Sequence, residues 1–328
     1  MARILYLHRD PPWAGFIADD LNILSQAHEV EQVHFQYSVS SVIELIPYVR
    51  RADLVYFWWG DLTGFLGATT AKLLRRPSVM ITGGYDVTWV PEIDYGLRGK
   101  PIRKHFVPAS LQLATRIIAN AQTTRQQVIK DYNVDPNKVI AIPHGVNTDE
   151  ISEGLETREQ IVVTIGQVSA ATIRRKGIDT FVEAARLLPD AKFLVLGKLA
   201  PDSQVRELMK GAPANVEFTG FVERKTLIET MQEAAVVVQA SAHEGFGLAL
   251  AESMLAGATP VVTDRGALPE VVGEVGRYVP YANAKLTADA IRDALENQTP
   301  KASRRRITAN FDLKRREASL LKLIDTML

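Results

Sequence analysis

Short apolar stretches alternate with helical patterns along most of this chain, and the series runs twice. The first series is "RILYLH" (3–8), a helix near 15–27, "VEQVHF" (30–35), "LVYFWW" (54–59), "SVMIT" (78–82), "RIIAN" (116–120) and "VIAIP" (139–143). The second is "IVVTIG" (161–166), a helix over 177–188, "KFLVLG" (192–197), "VEFTG" (216–220), "VVVQAS" (236–241), "TPVVT" (259–263) and "GRYVP" (276–280). Strands that are apolar on both faces and joined by helices build parallel sheets covered on each side. Two such series predict an α/β protein with two doubly wound, Rossmann-like domains. A length of 328 residues agrees with that count. The break falls in the acidic, polar "VNTDEISEGLETREQ" (146–160). The expected division is 1–150 and 151–305, with 306–328 as an amphipathic helix crossing back to the first domain.

Composition narrows the function. Hydrophobic residues make up 46% and charged residues 23%, as in ordinary soluble globular proteins, and the formal net charge is zero. Attraction of the whole chain to nucleic acid is therefore not expected. The absence of cysteine excludes disulfides, thiolate zinc sites and cysteine nucleophiles. "MARILYLHRD" is too short and polar for a signal peptide, and no stretch approaches the roughly 18 apolar residues of a membrane span. A cytoplasmic location is expected. Peripheral contact with the inner face of a membrane is the alternative, because "GLRGKPIRKH" (96–105) gathers four cations that could meet anionic headgroups or a phosphorylated ligand. A solvated basic face is the plainer reading of that stretch.

Open parallel sheets bind ligands beyond the carboxyl ends of their strands. There is no G-x-G-x-x-G after the first strand, no phosphate loop of the G-x-x-x-x-G-K-[ST] type, no H-E-x-x-H and no metal-ligand spacing among the six histidines. What stands out is "HEGFGLALAESMLAGATPVV" (243–262), which follows a strand. Glu244 lies in its loop and Glu252 in the helix after it. Gly245 and Gly247 let a ligand approach the backbone, and the amides at the helix start favour an anion such as a diphosphate. A carboxylate beside an anion site makes sense if it accepts hydrogen bonds from the hydroxyls of a sugar or ribose. On spacing alone, Glu244 reads equally well as a solvated loop residue and Glu252 as a surface helix position. A second cue is Arg174, Arg175 and Lys176, expected in a loop just before the helix from Gly177. Cations ahead of a helix N-terminus are unfavourable unless an anionic ligand lies there; a solvated loop is the alternative.

Taken together, these pieces resemble the retaining glycosyltransferases of family 4, with the GT-B fold of two Rossmann-like domains facing a cleft. The resemblance covers nearly the whole chain and rests on "AIPHGVNTDEI", "IGQ…RRKGIDTFVEAARLL", "LVLG", "VEFTGFV", "SAHEGFGLALAESMLAGATPVVT" and "ALPEVVG". It implies transfer of a sugar from a nucleotide-diphosphate donor to an acceptor hydroxyl, without a metal or other cofactor. The acceptor is a carbohydrate, a lipid-linked or a small molecule. Carried over by position, Glu244 lies by the donor sugar at the reaction centre and Lys176 neutralises phosphate. Gly166, Gln167, Arg174 and Arg175 flank the diphosphate. The amides of Phe246, Gly247 and Leu248 receive it, Glu252 takes the ribose, and Gly220, Phe221 and Val222 offer backbone to the base. On the acceptor side the resemblance points to Gly15, Gly84 and Asp86. Two positions depart from the family pattern: Gln167 stands where arginine is usual, and Gly83 where a histidine often contacts the donor sugar. A sugar-nucleotide epimerase or a non-catalytic sugar-nucleotide binding protein on the same fold are the alternative readings. Trp58, Trp59 and Trp89 stand near strand ends, where they could stack on a sugar or pack in a core.

Overall fold

The computed structural model describes residues 1–8, 15–34, 41–154 and 158–328. The chain forms two compact units, Met1–His144 with Lys314–Leu328, and Gly145–Leu313. Residues 9–14, just before Gly15, and Phe35 of the second predicted strand lie outside the described residues.

The first unit holds strands β1 (Arg3–His8), β2 (Glu29–His34), β3 (Leu54–Trp58), β4 (Ser78–Thr82), β5 (Arg116–Ala119) and β6 (Val139–Ala141). They pair in parallel in the order β2-β1-β3-β4-β5-β6. The continuous apolar runs predicted strands covered on both faces, and β3 and β4 are buried at every position. Strand β2, at the edge, is exposed or half-buried throughout, which explains its polar "EVEQVH".

The second unit holds β7 (Ile161–Ile165), β8 (Lys192–Leu196), β9 (Val216–Gly220), β10 (Val236–Gln239), β11 (Thr259–Thr263) and β12 (Arg277–Val279). This sheet is also all parallel, ordered β12-β11-β10-β7-β8-β9. Apolar layers cover both faces. One contains Phe246, Leu250, Met254 and Phe311; the other contains Phe181, Phe193 and Val236. Each fully buried side chain of this size contributes about 1.5–3 kcal/mol relative to exposure.

Two expectations change in detail. The tail is two helices rather than one, Pro300–Asn310 and Leu313–Asp325. The break falls where Phe311 turns inward to pack edge-on against Phe246, with ring centroids 5.3 Å apart. The cationic triplet lies in no loop: Arg174, Arg175 and Lys176 form the last turn of a short helix, Ala170–Lys176. Ser169 and Thr172 close a capping box at its start, and Gly177, at φ +66°, ends it. Cations at a helix C-terminus complement its dipole, while the helix expected from Gly177 does begin there, at Ile178–Ala185, so the same three cations also stand just ahead of its N-terminus. Seven residues are too few to show a helical period, which is why the sequence reads as a loop there.

Candidate active site

In the second unit the strand order runs outward from β7 through β8 to β9, and the other way from β10 to β12. The reversal lies between β7 and β10, which are neighbours. Ligands of open α/β sheets bind outside the carboxyl ends at such a point.

Gly166 ends β7 with φ +155°, and the stem of Lys176 lies against it. A Cβ added at 166 would come 2.8 Å from Lys176 Cε. Gly166 therefore keeps open the lane through which the ammonium reaches Glu244, at 3.1 Å from Nζ to Oε1. Gln239 Nε2 and Ser241 Oγ, at the end of β10, also donate to that oxygen, each at 3.1 Å. The guanidinium of Arg175 stands 3.8 Å from it. Among the described residues, all partners of this carboxylate fall on Oε1; Oε2 has none. The Glu244 side chain is only 12% exposed. Burial by itself pushes its pKa up, but Lys176 and Arg175 outweigh burial and hold it below the ordinary glutamate value. Glu244 is thus ionised at neutral pH, an acceptor of hydrogen bonds and not an acid.

The loop itself is clamped. The Ala242 amide donates to the Arg175 carbonyl and the Ala267 amide to the Glu244 carbonyl, at 2.8 and 2.9 Å. Phe246 turns its ring into the core, leaving only its backbone to a ligand. Gly247, at φ +97°, is the N-cap of the helix Leu248–Ala256, so the amides at Phe246–Leu248 stand at a helix start.

Glu252, in that helix, forms a second cluster. Its Oε1 lies 2.7 Å from Arg224, whose guanidinium also forks onto Glu150, at 2.9 and 2.8 Å. Gly220, at φ +71°, ends β9 and accepts the Gly197 amide through its carbonyl. Phe221 after it is 76% exposed, and Val222 packs against the core. Gln167 and Arg174 are exposed, away from the Glu244 cluster's contacts. Of the two arginines, Arg175 is the one that stands with Lys176 beside Glu244.

Sequence reasoning missed four residues here: Gln239, Ser241, Arg224 and Glu150. Gln239 had a signal, being the lone amide in the buried run "VVVQAS". Arg224 and Glu150 are 74 positions apart, and nothing local joins them.

In the first unit, Asp86 is fully buried and accepts the amides of Gly60 (3.1 Å) and Gly83 (3.2 Å). Burial raises its pKa to about 6 against these hydrogen bonds. Gly84 turns the chain after β4 at φ +99°. Gly15 opens the helix Gly15–Ala27 with open space around it. Gly83 owes its identity to Trp59: a Cβ there would lie 1.8 Å from the indole ring. Trp58 is a core residue, stacked on His144 and donating to the Tyr6 hydroxyl.

Residues 159–297 match the family described as Glycosyl transferases group 1, and residues 25–150 match Glycosyltransferase Family 4. A D-inositol 3-phosphate glycosyltransferase of Mycobacterium sp. (strain KMS) is 29% identical over 213 residues, 58% of this chain and 47% of that one. A phosphatidyl-myo-inositol mannosyltransferase of Mycobacterium leprae is 29% identical over 170 residues, 48% of this chain and 44% of that one. The chain thus spans about half the length of the curated relatives it matches. Among solved structures, Anabaena HepE in complex with UDP and glucose superposes with a TM-score of 0.80 at 18% identity, covering 99% of this chain and 100% of that one. The sucrose-phosphate synthase of Thermosynechococcus elongatus gives 0.79 at 18%, covering 100% and 99%. At that identity the likeness concerns the fold alone. No helix of the described residues is long and apolar enough to cross a membrane.

Proposed function

The chain belongs to the group 1, family 4 type of GT-B glycosyltransferases, and on that premise we propose that it moves a sugar from a nucleotide-diphosphate donor to an acceptor hydroxyl with retention of configuration and without a metal. The observation that carries the reading is the Glu244 carboxylate, pinned at Oε1 by Lys176, Gln239 and Ser241 with Oε2 left over.

An ionised, immobilised carboxylate with one free oxygen suits a sugar hydroxyl. The adjoining cations and helix-start amides suit the diphosphate that leaves. In the reaction the bond from the anomeric carbon to the phosphate oxygen breaks, and its electron pair stays on the phosphate. The acceptor oxygen bonds the same carbon on the same face, and its proton passes to the departing phosphate oxygen. Negative charge grows on the diphosphate. Lys176 and Arg175 are already in place to meet it, the role a divalent ion would otherwise fill, and such fixed charges give the largest catalytic gains. With its pKa held low, Glu244 orients the sugar and offsets positive charge at the anomeric carbon. Glu252 accepts from the ribose, sharing Arg224 with Glu150.

The test is a transfer and donor-hydrolysis assay across uridine, guanosine and adenosine diphosphate sugars, comparing wild type with Glu244→Ala. A loss of about 10²–10³-fold in kcat, with donor affinity changed far less, is expected. Donor isomerised without any acceptor would point to an epimerase. Binding with no turnover would leave only a sugar-nucleotide binding protein.

A further inference from the structure

A cavity of 500 Å³ opens at the carboxyl ends of β3 and β4 in the first unit. Its walls are Trp59, Leu62, Tyr85, Leu97 and Phe106. That size and lining suit a small organic molecule.

The cavity is built and held. Trp59 adopts φ +72°, a left-handed backbone that a bulky aromatic residue rarely takes. Two glycines permit it. A Cβ at Gly64 would lie 2.1 Å from the Trp59 carbonyl oxygen, and one at Gly83 would lie 1.8 Å from its ring. Asp86 grips the amides of Gly60 and Gly83 and so fixes the two loops that flank the tryptophan. Strain maintained in this way by surrounding structure is typical of binding sites.

The polar groups of the lining are unequal. Asp61 is occupied as a helix cap, accepting from the Thr63 and Gly64 amides, and Asp86 is occupied as described. Arg103 is different. Its neighbours Arg98 and Lys100 are neutralised by Asp131 and Asp94. Arg103 is exposed, lines the cavity and has no carboxylate partner among the described residues. Ile102 beside it is 74% exposed, so the rim joins an apolar side chain to an unpaired cation.

We propose that this cavity is the acceptor site and that it takes an amphiphilic alcohol, its apolar body against Trp59 and Phe106 and an anionic group on Arg103. Only the word acceptor rests on the glycosyl-transfer reading; the ligand class rests on the cavity. A wholly polar polyol phosphate would satisfy Arg103 but leave the aromatic and aliphatic walls against hydroxyls, losing their contribution.

The full chain is titrated with 1-naphthyl phosphate, myo-inositol 1-phosphate and inorganic phosphate, and separately with sugar nucleotides. Naphthyl phosphate is expected to bind at least tenfold more tightly than the other two phosphates. Arg103→Glu should weaken it at least tenfold, and Leu62→Gln should weaken it while leaving inorganic phosphate unchanged. Arg103 is exposed, so its loss does not threaten folding; a circular dichroism melt checks Leu62→Gln. Inositol phosphate binding as tightly as naphthyl phosphate, or naphthyl phosphate indifferent to Arg103→Glu, would overturn the proposal. Sugar nucleotides failing to bind while naphthyl phosphate behaves as expected would instead sink the transfer reading and leave the ligand class standing.

Discussion

Asp86 and Glu244 are both enclosed carboxylates, and their surroundings push them in opposite directions. For Glu244, burial is outweighed by Lys176 and Arg175, so its folded pKa is depressed. Its contribution to stability is present above the unfolded value and is lost as pH falls through the folded one. For Asp86, burial dominates and the folded pKa rises to about 6. Its contribution is complete below the unfolded value and is lost as pH rises through about 6. An asparagine there cannot ionise and escapes that loss. Urea unfolding of wild type and Asp86→Asn at pH 4 and pH 7 should show the difference in unfolding free energy move by about 2 kcal/mol in favour of the variant as pH rises: a shift of roughly two units at 1.4 kcal/mol each, less the part already lost at pH 4, just above the unfolded value. A difference that does not change with pH would refute the assigned environment. The family resemblance pointed to Asp86 on the acceptor side, but nothing in the sequence announced its burial. Its burial depends on Gly60 and Gly83, which sit on different loops, and no local pattern encodes that meeting.

At the scale of elements, the strand ends carry the site, and small residues there decide what reaches it. Gly166 has both a positive φ and the Lys176 stem against it. Gly166→Ala should strain the turn and push the ammonium off Glu244 Oε1. The expected result is nucleotide-diphosphate binding weakened about tenfold or more, the scale of one lost charged contact, with the fold retained. Unchanged affinity would show that Lys176 does not need this lane. The strands were legible in the sequence, the central ones because a doubly covered parallel strand must be apolar throughout and the polar edge strand β2 by its place in the alternating series. The β7 and β10 ends, with Gly166 and Glu244, could be placed for the same reason. The short helix Ala170–Lys176 could not, since its seven residues are set by a capping box and a C-terminal glycine and not by periodicity. The Arg224 fork onto Glu150, with its second contact to Glu252, was hidden for a further reason: it joins charges from separate elements, each of which reads as solvated surface.

The molecule as a whole is two sheets with separate cores, and the chain's last residues, Lys314–Leu328, belong to the first unit. Arg316 anchors them. It is buried and forks onto Asp20 at 2.7 and 2.8 Å, and it donates to the carbonyls of Ile142 and Pro143. Removing one partner of a buried pair strands the other, at a cost of about 3–5 kcal/mol. In Arg316→Met, hydrogen exchange should quicken in β1, β3 and β4 while β7, β8 and β10 keep their protection. Equal loss in both sheets would mean that the units do not unfold separately. The sequence announced an amphipathic tail but gave no hint that an arginine would pair 296 positions away. The claim on which all else depends belongs to the second unit: its strand ends hold a sugar nucleotide by the diphosphate and the ribose. Calorimetric titration of uridine, guanosine and adenosine diphosphate sugars into wild type, Lys176→Ala and Glu252→Ala tests it most directly. One nucleotide class should bind wild type and bind each variant at least tenfold more weakly; no binding by any of the three, or binding indifferent to both substitutions, would contradict it.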